Sequence, residues 1–335
     1  MARGKGSYWA LMVGVLIVGA VLFVFFSGIG VGEKNYYAFV PNAGDGTVSV
    51  IDIRQQKVID TIKVGEQASH GLTINPRKGY IYSGDLDQGS VVVIDAESWK
   101  IVKTITVGKR IHGIDLSPDG KYLYVGGGFE NDHVTVIDTS THEVVRTITH
   151  NWKGPSHVEF SPDSARAYVA DTLDAIVSVI DTAQGTVIAD IKVGKGPNET
   201  RVSPDGKYVY SANIQDNSVS VIDTEKQVVI KTFPAGVGAH GIAVSPDGRY
   251  VWIANRGSTT ITVFDAENDF TRVATIEAGK SPNHLAFVPD QSLVWATLAE
   301  GNEVVFINPA NYQVVGRVAV GTEPHEIDFL PASRF

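Results

Sequence analysis

The chain has 335 residues, with 28 Lys and Arg against 37 Asp and Glu, a net charge of −9 and no cysteine. An apolar fraction of 43% beside 19% charged residues supports a substantial core and excludes a disordered chain. The missing cysteines exclude disulfides, Cys-ligated zinc, iron–sulfur clusters, thiol nucleophiles and c-type haem attachment, so a metal must be held by His, carboxylate, amide, Tyr or backbone ligands.

From Tyr8 to Phe26 run 19 uncharged, mostly apolar residues, preceded by Arg3 and Lys5 and followed by Glu33 and Lys34. That run is long enough to span a bilayer core of ~30 Å as a helix and exceeds the ~7–15 residues of a signal-peptide core. The small residues Ser27, Gly28 and Gly30 keep cleavage open as an alternative. The positive-inside rule leaves Met1 in the cytoplasm. The sequence thus predicts a cytoplasmic stub and transmembrane signal anchor over 1–31 and an extracytoplasmic domain over 32–335, in the periplasm or outside the cell. Setting aside Arg3 and Lys5, 28 less two leaves 26 basic against 37 acidic side chains, which speaks against nucleic acid as a partner.

Beyond the anchor the chain repeats. A Ser-Pro-Asp-Gly element or a variant places its proline at Pro76, Pro118, Pro162, Pro204, Pro246, Pro289 and Pro331, at spacings of 42 to 44 residues. A Val-Ser-Val-Ile-Asp element ends at Asp52, Asp95, Asp138, Asp181, Asp223, Asp265 and Asn308, at spacings of 42 or 43. Each unit alternates apolar and polar residues over four short segments joined by turn residues, which predicts four strands. Four antiparallel strands per 40–45 residues is the pattern of a β-propeller. The chain enters at Tyr36 on a second strand and ends at His325–Leu330 on a first strand. The prediction is an all-β, seven-bladed propeller closed by the C-terminal strand, leaving no open radial edge.

Segments such as GPNETRVSPDGKYVYSANIQDNSVSVIDTEKQVVIKTF and AHGIAVSPDGRYVWIANRGSTTITVFD resemble the YVTN-type β-propeller repeats of bacterial and archaeal exported proteins, over about residues 35–331. The resemblance implies fold. Similar propellers include surface proteins, the haem-binding propeller of dissimilatory nitrite reductase and lactonase-like hydrolases, so activity must come from a site.

The segment entering each first strand usually reads P-x-G in this family. Here x is His70, His112, Ser156, Asn198, His240, Asn283 and His325, and two units lacking His at x carry it one residue later, as His157 and His284. First strands line a propeller's channel, so these six histidines are predicted to ring its mouth. His284, His325, His70, His112 and His157 fall on consecutive blades. Three readings stand: each imidazole caps its own loop, the set binds a transition metal (Cu, Zn or Fe) or a haem-type cofactor, or protonation governs partner docking. With inner strands on the order of 8–11 Å from the axis, two or three neighbouring histidines are expected to meet an ion, and not all six.

His133 and His142 are expected to be solvated turn residues. His150 and Trp152 lie in one enlarged connection, where Trp152 is either a partner contact or locally packed. Asp45, Asp85, Asp87, Glu130, Asp132, Asp174, Asp216, Glu300 and Glu303, in second-to-third-strand loops, read as turn carboxylates that also favour a basic partner. Nucleophile elbow, P-loop, HExxH and EF-hand motifs are absent, and no acid/base pair stands out.

The functional expectation is a membrane-anchored extracytoplasmic binding or scaffold propeller with a His-lined channel mouth. A cytochrome or respiratory complex is the expected partner. A metal-dependent oxidoreductase comparable to nitrite or nitrous oxide reductase, or a lactonase-like hydrolase, are the alternatives.

Overall fold

The computed structural model describes residues 35–108, 110–129 and 131–332. The anchor predicted at Tyr8–Phe26 and the boundary at 31/32 lie outside the described residues. Among those described, no helix is long and apolar enough to cross a membrane. The helical content there is a 3-10 turn, Ala266–Asn268.

The described residues form seven four-stranded antiparallel sheets, one per sequence repeat. Blade 1 is closed as predicted: the last strand, Asp328–Pro331, pairs with the first, Tyr36–Asn42, from Phe39↔Asp328 to Tyr36↔Pro331. Blades 2 to 7 follow in order, and their first strands are Ala68–Asn75, Ile114–Leu116, Pro155–Phe160, Pro197–Val202, Ala239–Val244 and Pro282–Phe287.

The repeated residues are explained by local hydrogen bonding. In the Ser-Pro-Asp-Gly turn Ser117 Oγ donates to Asp119 Oδ1 (2.8 Å) and accepts from the Tyr122 amide (3.0 Å), while Gly120 takes φ +75°, a region glycine enters without steric cost. The Asp ending the third strand in six blades, and Asn308 in the seventh, accept from amides two or three residues on, as Asp52 does from Gln55 at 2.8 Å and Asp138 from Ser140 at 2.6 Å. That is the turn role expected from sequence. Buried Asn42 and Asn213 staple the next hairpin, donating to Thr47 and Ser49 (both 2.9 Å) and to Ser218 and Ser220 (both 3.0 Å).

The apolar residues of facing blades make the core. Val50, Ile62 and Phe39 of blade 1 pack on Ile74, Ile81 and Ile94 of blade 2, and the same layer recurs between blades 5 and 6. Each blade buries its faces only against its neighbours, which is why one closed toroid is the stable solution.

Two devices let the first strands crowd the axis. Pairing with the second strand breaks register at the strand entry in blades 2, 4, 5, 6 and 7, for example between Pro155 and Val158, and such bulges re-aim side chains. The glycines after His70, His112 and His240 also sit against the neighbouring blade. A Cβ on Gly113 would lie 2.8 Å from His157 Cα, and one on Gly71 would run into the Ile114 backbone nitrogen. Gly71→Ala is therefore expected to cost about 1–3 kcal/mol by overpacking, read as a lower urea midpoint with unchanged m; an unaltered midpoint would show that the blades can separate freely there.

Candidate functional site

The first strands deliver three tiers of side chains to the channel. The outermost, at x, holds His70, His112, Ser156, Asn198, His240, Asn283 and His325. The next holds Gly71, Gly113, His157, Glu199, Gly241, His284 and Glu326. Two residues further in lie Thr73, Asp115, Glu159, Arg201, Ala243, Ala286 and Asp328.

All six predicted histidines come together, and more closely than the axial distance argument allowed. His70 stacks on His325 with ring centroids 3.7 Å apart and meets His112 through Nδ1···Nε2 at 2.9 Å. His112 touches His157 (4.8 Å), His157 reaches His284 across the channel (5.2 Å), and His284 meets His240 (4.9 Å) and His325 (5.4 Å). Ring contacts thus link all six, while the ligand atoms close enough to share one ion include two of these histidines, His240 and His284 on adjacent blades. The histidines fill the channel rather than ring its rim: five are at most 6% exposed and His70 is half-buried.

The loop-capping reading accounts for one of the six. His240 Nδ1 lies 3.3 Å from the Asn283 carbonyl oxygen. By contrast His112 Nδ1, His157 Nε2, His284 Nε2 and both nitrogens of His325 are buried with no hydrogen-bond partner. Buried polar atoms are rarely left so. Burial, reinforced by neighbouring imidazoles, holds His70, His157, His240 and His325 well below the ordinary histidine range, and burial with the fields of His284 and Arg256 brings His112 down to about 3. These rings are neutral at pH 7 and offer lone pairs, the state a metal requires.

Sequence reasoning missed Glu199, which occupies the blade with no histidine. Its Oε2 lies 2.9 Å from His284 Nδ1, and its Oε1 accepts from Arg201 at 2.8 Å. Burial works to raise the Glu199 pKa, but His284 and Arg201 outweigh it and hold the carboxylate below its usual range. Ligand atoms of Glu199, His240 and His284 all lie within 4.8 Å of one another, the one such metal-holding group among the described residues. Two imidazoles and a carboxylate form a recognised donor set for zinc and non-haem iron.

Arg201 also pairs with Glu159 at 3.2 Å. Burial opposes its charge, yet Glu159, Glu199 and Glu326 together raise its pKa. Around it Asp115 and Glu326 are pushed well above the carboxylate range, Glu159 is raised, and Asp328 is pushed up to about 6, in each case chiefly by burial. This charged tier was also missed. Its signal was a polar residue three places beyond x in strands otherwise apolar.

Several of the remaining predicted residues have structural partners. Asp45 accepts from the Thr322 amide, Asp85 from the Asp87 and Gln88 amides, and Asp216 from the Lys195 amide, while Asp174 pairs with Lys153 and Glu303 with Arg317. Glu130 lies outside the described residues. Trp152 is buried, donating to Ser178 Oγ at 2.8 Å, so it packs locally and is no exposed contact. His150 pairs with Asp190 at 2.8 Å. His142 corrects its expectation: it is half-buried, 4.7 Å from the Tyr80 ring and 3.2 Å from Tyr82 Oη.

Seven closed blades around a channel packed with histidines and carboxylates define a β-propeller with its buried polar side chains gathered on its axis. The YNCE-like β-propeller family matches residues 164–335 and the seven-bladed β-propeller lactonase family matches residues 29–229, each over half of the chain or more. The chain belongs to these propeller families. No curated protein matches. Among solved structures it is similar to hydrazine synthase of Kuenenia stuttgartiensis, with 26% identity over 81% of this chain and 95% of that chain and a TM-score of 0.71. It is also similar to a functionally unknown protein of Desulfotomaculum acetoxidans, with 16% identity over 88% and 98% and a TM-score of 0.78; that likeness shows the fold alone.

Proposed function

We propose that the protein is a binding propeller that holds a transition-metal ion on its axis, tethered by its N-terminal segment at the outer side of the cell membrane. In that position it serves as an accessory to respiratory or metal-handling machinery. The observation that carries this reading is the set of buried ring nitrogens without partners on His112, His157, His284 and His325, beside the Glu199, His240 and His284 donor group. Neutral imidazoles suit zinc, copper, nickel and iron. Ring spacings of 3.7–6.2 Å favour an ion over a macrocycle, which needs a slot between side chains. The likeness to a propeller in an enzyme named hydrazine synthase is in keeping with a redox setting.

Elemental analysis of protein purified without chelator tests this. About one equivalent of metal is expected, lost with His240→Ala or His284→Ala. Adding Zn(II), Ni(II) or Cu(II) to the stripped protein is expected to raise its melting temperature, since at a hundredfold excess over Kd binding adds about 2.7 kcal/mol. Metal-free protein that no ion stabilises overturns the reading.

A second reading rests on the Glu199–His284 contact and the lactonase family match. Glu199 would hold His284 as its Nδ1–H tautomer, leaving Nε2 as a general base for water attacking a lactone carbonyl. Hydrolysis of δ-valerolactone that survives chelator and is abolished by His284→Asn would select this reading over the metal site.

A further inference from the structure

The third-to-fourth-strand turns close the clefts between neighbouring blades. In each turn the fourth residue after the strand-ending Asp or Asn is left-handed, and in three blades its ring lies on an aromatic residue of the preceding blade: Trp99 on Tyr37 (5.5 Å, φ +56°), His142 on Tyr80 (4.7 Å, φ +54°) and Tyr312 on Trp252 (5.7 Å, φ +60°). Blade 4 differs. Gly185 holds that place at φ +67° and brings no ring to Tyr124 of blade 3.

Arg146 enters the space instead. A Cβ on Gly185 would lie 2.5 Å from Arg146 Cδ and 2.6 Å from its Cζ, so the glycine is what admits the guanidinium. Register explains the approach: Val136 pairs with Tyr124 on one side and with Arg146 on the other, and residues in one such row project from the same face of the sheet. What remains of the cleft is a cavity of about 200 Å³ whose lining includes Tyr122, Tyr124, Val145 and Arg146 and no carboxylate.

This cavity lacks an acceptor. The Arg146 guanidinium forms no ion pair or hydrogen bond among the described residues, in a chain that is acidic overall. Asp181, the carboxylate whose field reaches Tyr124, caps its own turn at the Gln184 amide (2.9 Å). Tyr124 is 2% exposed, and its hydroxyl likewise has no hydrogen-bond partner among the described residues. Burial, opposed by the Arg146 charge, lifts its pKa to about 12, so it stays an O–H donor at neutral pH. Two donors, one of them permanently charged, suit a carboxylate. A cavity of about 200 Å³ falls below the ~300 Å³ lower end of drug-sized sites, and its exposed apolar wall of Tyr122 and Val145 suits the flat ring that other turns supply. We propose that the cleft between blades 3 and 4 binds a small aromatic carboxylate, its acid group held by Arg146 and the Tyr124 hydroxyl and its ring lying between Tyr122 and Val145.

The site shares no residue with the axial channel and is independent of the metal reading. Calorimetric titration of full-length protein in detergent with sodium benzoate, benzylammonium chloride and sodium phosphate is the experiment. Benzoate is expected to saturate one site and benzylammonium none, with phosphate weaker than benzoate because it has no ring. Arg146→Gln is expected to weaken benzoate binding roughly tenfold or more, the scale of a charge-assisted hydrogen bond, at an unchanged melting temperature because Arg146 is exposed. Gly185→Gln is expected to abolish binding by displacing the guanidinium. The backbone accepts that change, since Gln56 and Gln227 hold the same place at φ +51° and +56° in blades 1 and 5. Absence of saturation by benzoate, equal affinity in Arg146→Gln, or phosphate binding as tightly as benzoate overturns the proposal.

Discussion

Replacing Arg201 by methionine is expected to destabilise the propeller by about 3 kcal/mol or more. Arg201 holds Glu199, whose side chain is 3% exposed, and Glu159, at 16%. Removing one partner of a buried ion pair leaves uncompensated charge and costs roughly 3–5 kcal/mol. Arg201 is itself 31% exposed, which places the expected loss toward the lower end. Methionine keeps much of the side-chain volume, so the loss reports charge rather than a void. Urea unfolding of the single variant, and of Arg201→Met combined with Glu159→Gln and Glu199→Gln, checks the cause: the triple variant should recover most of the loss. A single variant as stable as the parent would mean that water reaches this tier freely and that its charges are not coupled.

The same tier shows where sequence reading succeeded and where it stopped. The two markers at one period, the turn prolines and the strand-end aspartates, made seven blades and their closure by His325–Leu330 legible, because each marker performs one local hydrogen-bonding task in every repeat. The six histidines were legible for the same reason: they recur at one repeat position. Their packing was not. It depends on bulged strand entries and on glycines such as Gly113, whose missing Cβ admits His157, and neither has a length or spacing that periodicity reveals. Glu199 escaped because it breaks the histidine pattern, yet it occupies the same tier as His157 and His284. Asp115, Glu159, Arg201 and Asp328 escaped because a first strand buried on both faces looks apolar overall, and one charged residue in it reads as noise until seven strands are superposed.

Relative to the parent, Asp328→Asn is expected to gain about 2 kcal/mol of stability between pH 4 and pH 7. Burial lifts the Asp328 pKa from 3.8 to about 6, against the lowering effect of its bonds from the Phe329 and Ile74 amides and of the Arg201 charge. Between those values the folded protein keeps a proton that the unfolded chain has released. Stability contributed by the protonated form is thus fully present below about pH 3.8 and is lost as the pH rises to and through about 6, with about 1.4 kcal/mol per pKa unit. Asparagine stands in for the protonated acid, which likewise keeps one carbonyl oxygen, and it accepts from one of the two amides that bond to different oxygens of Asp328, so the cost of the lost bond is the same at every pH and the pH-dependent part of the difference reports ionisation of the acid. Thermal or urea unfolding of both proteins across this range measures the difference, and a gap independent of pH would rule out titration of Asp328 as its source. A chain that keeps an ionised aspartate where asparagine would be more stable is trading stability for charge at that point.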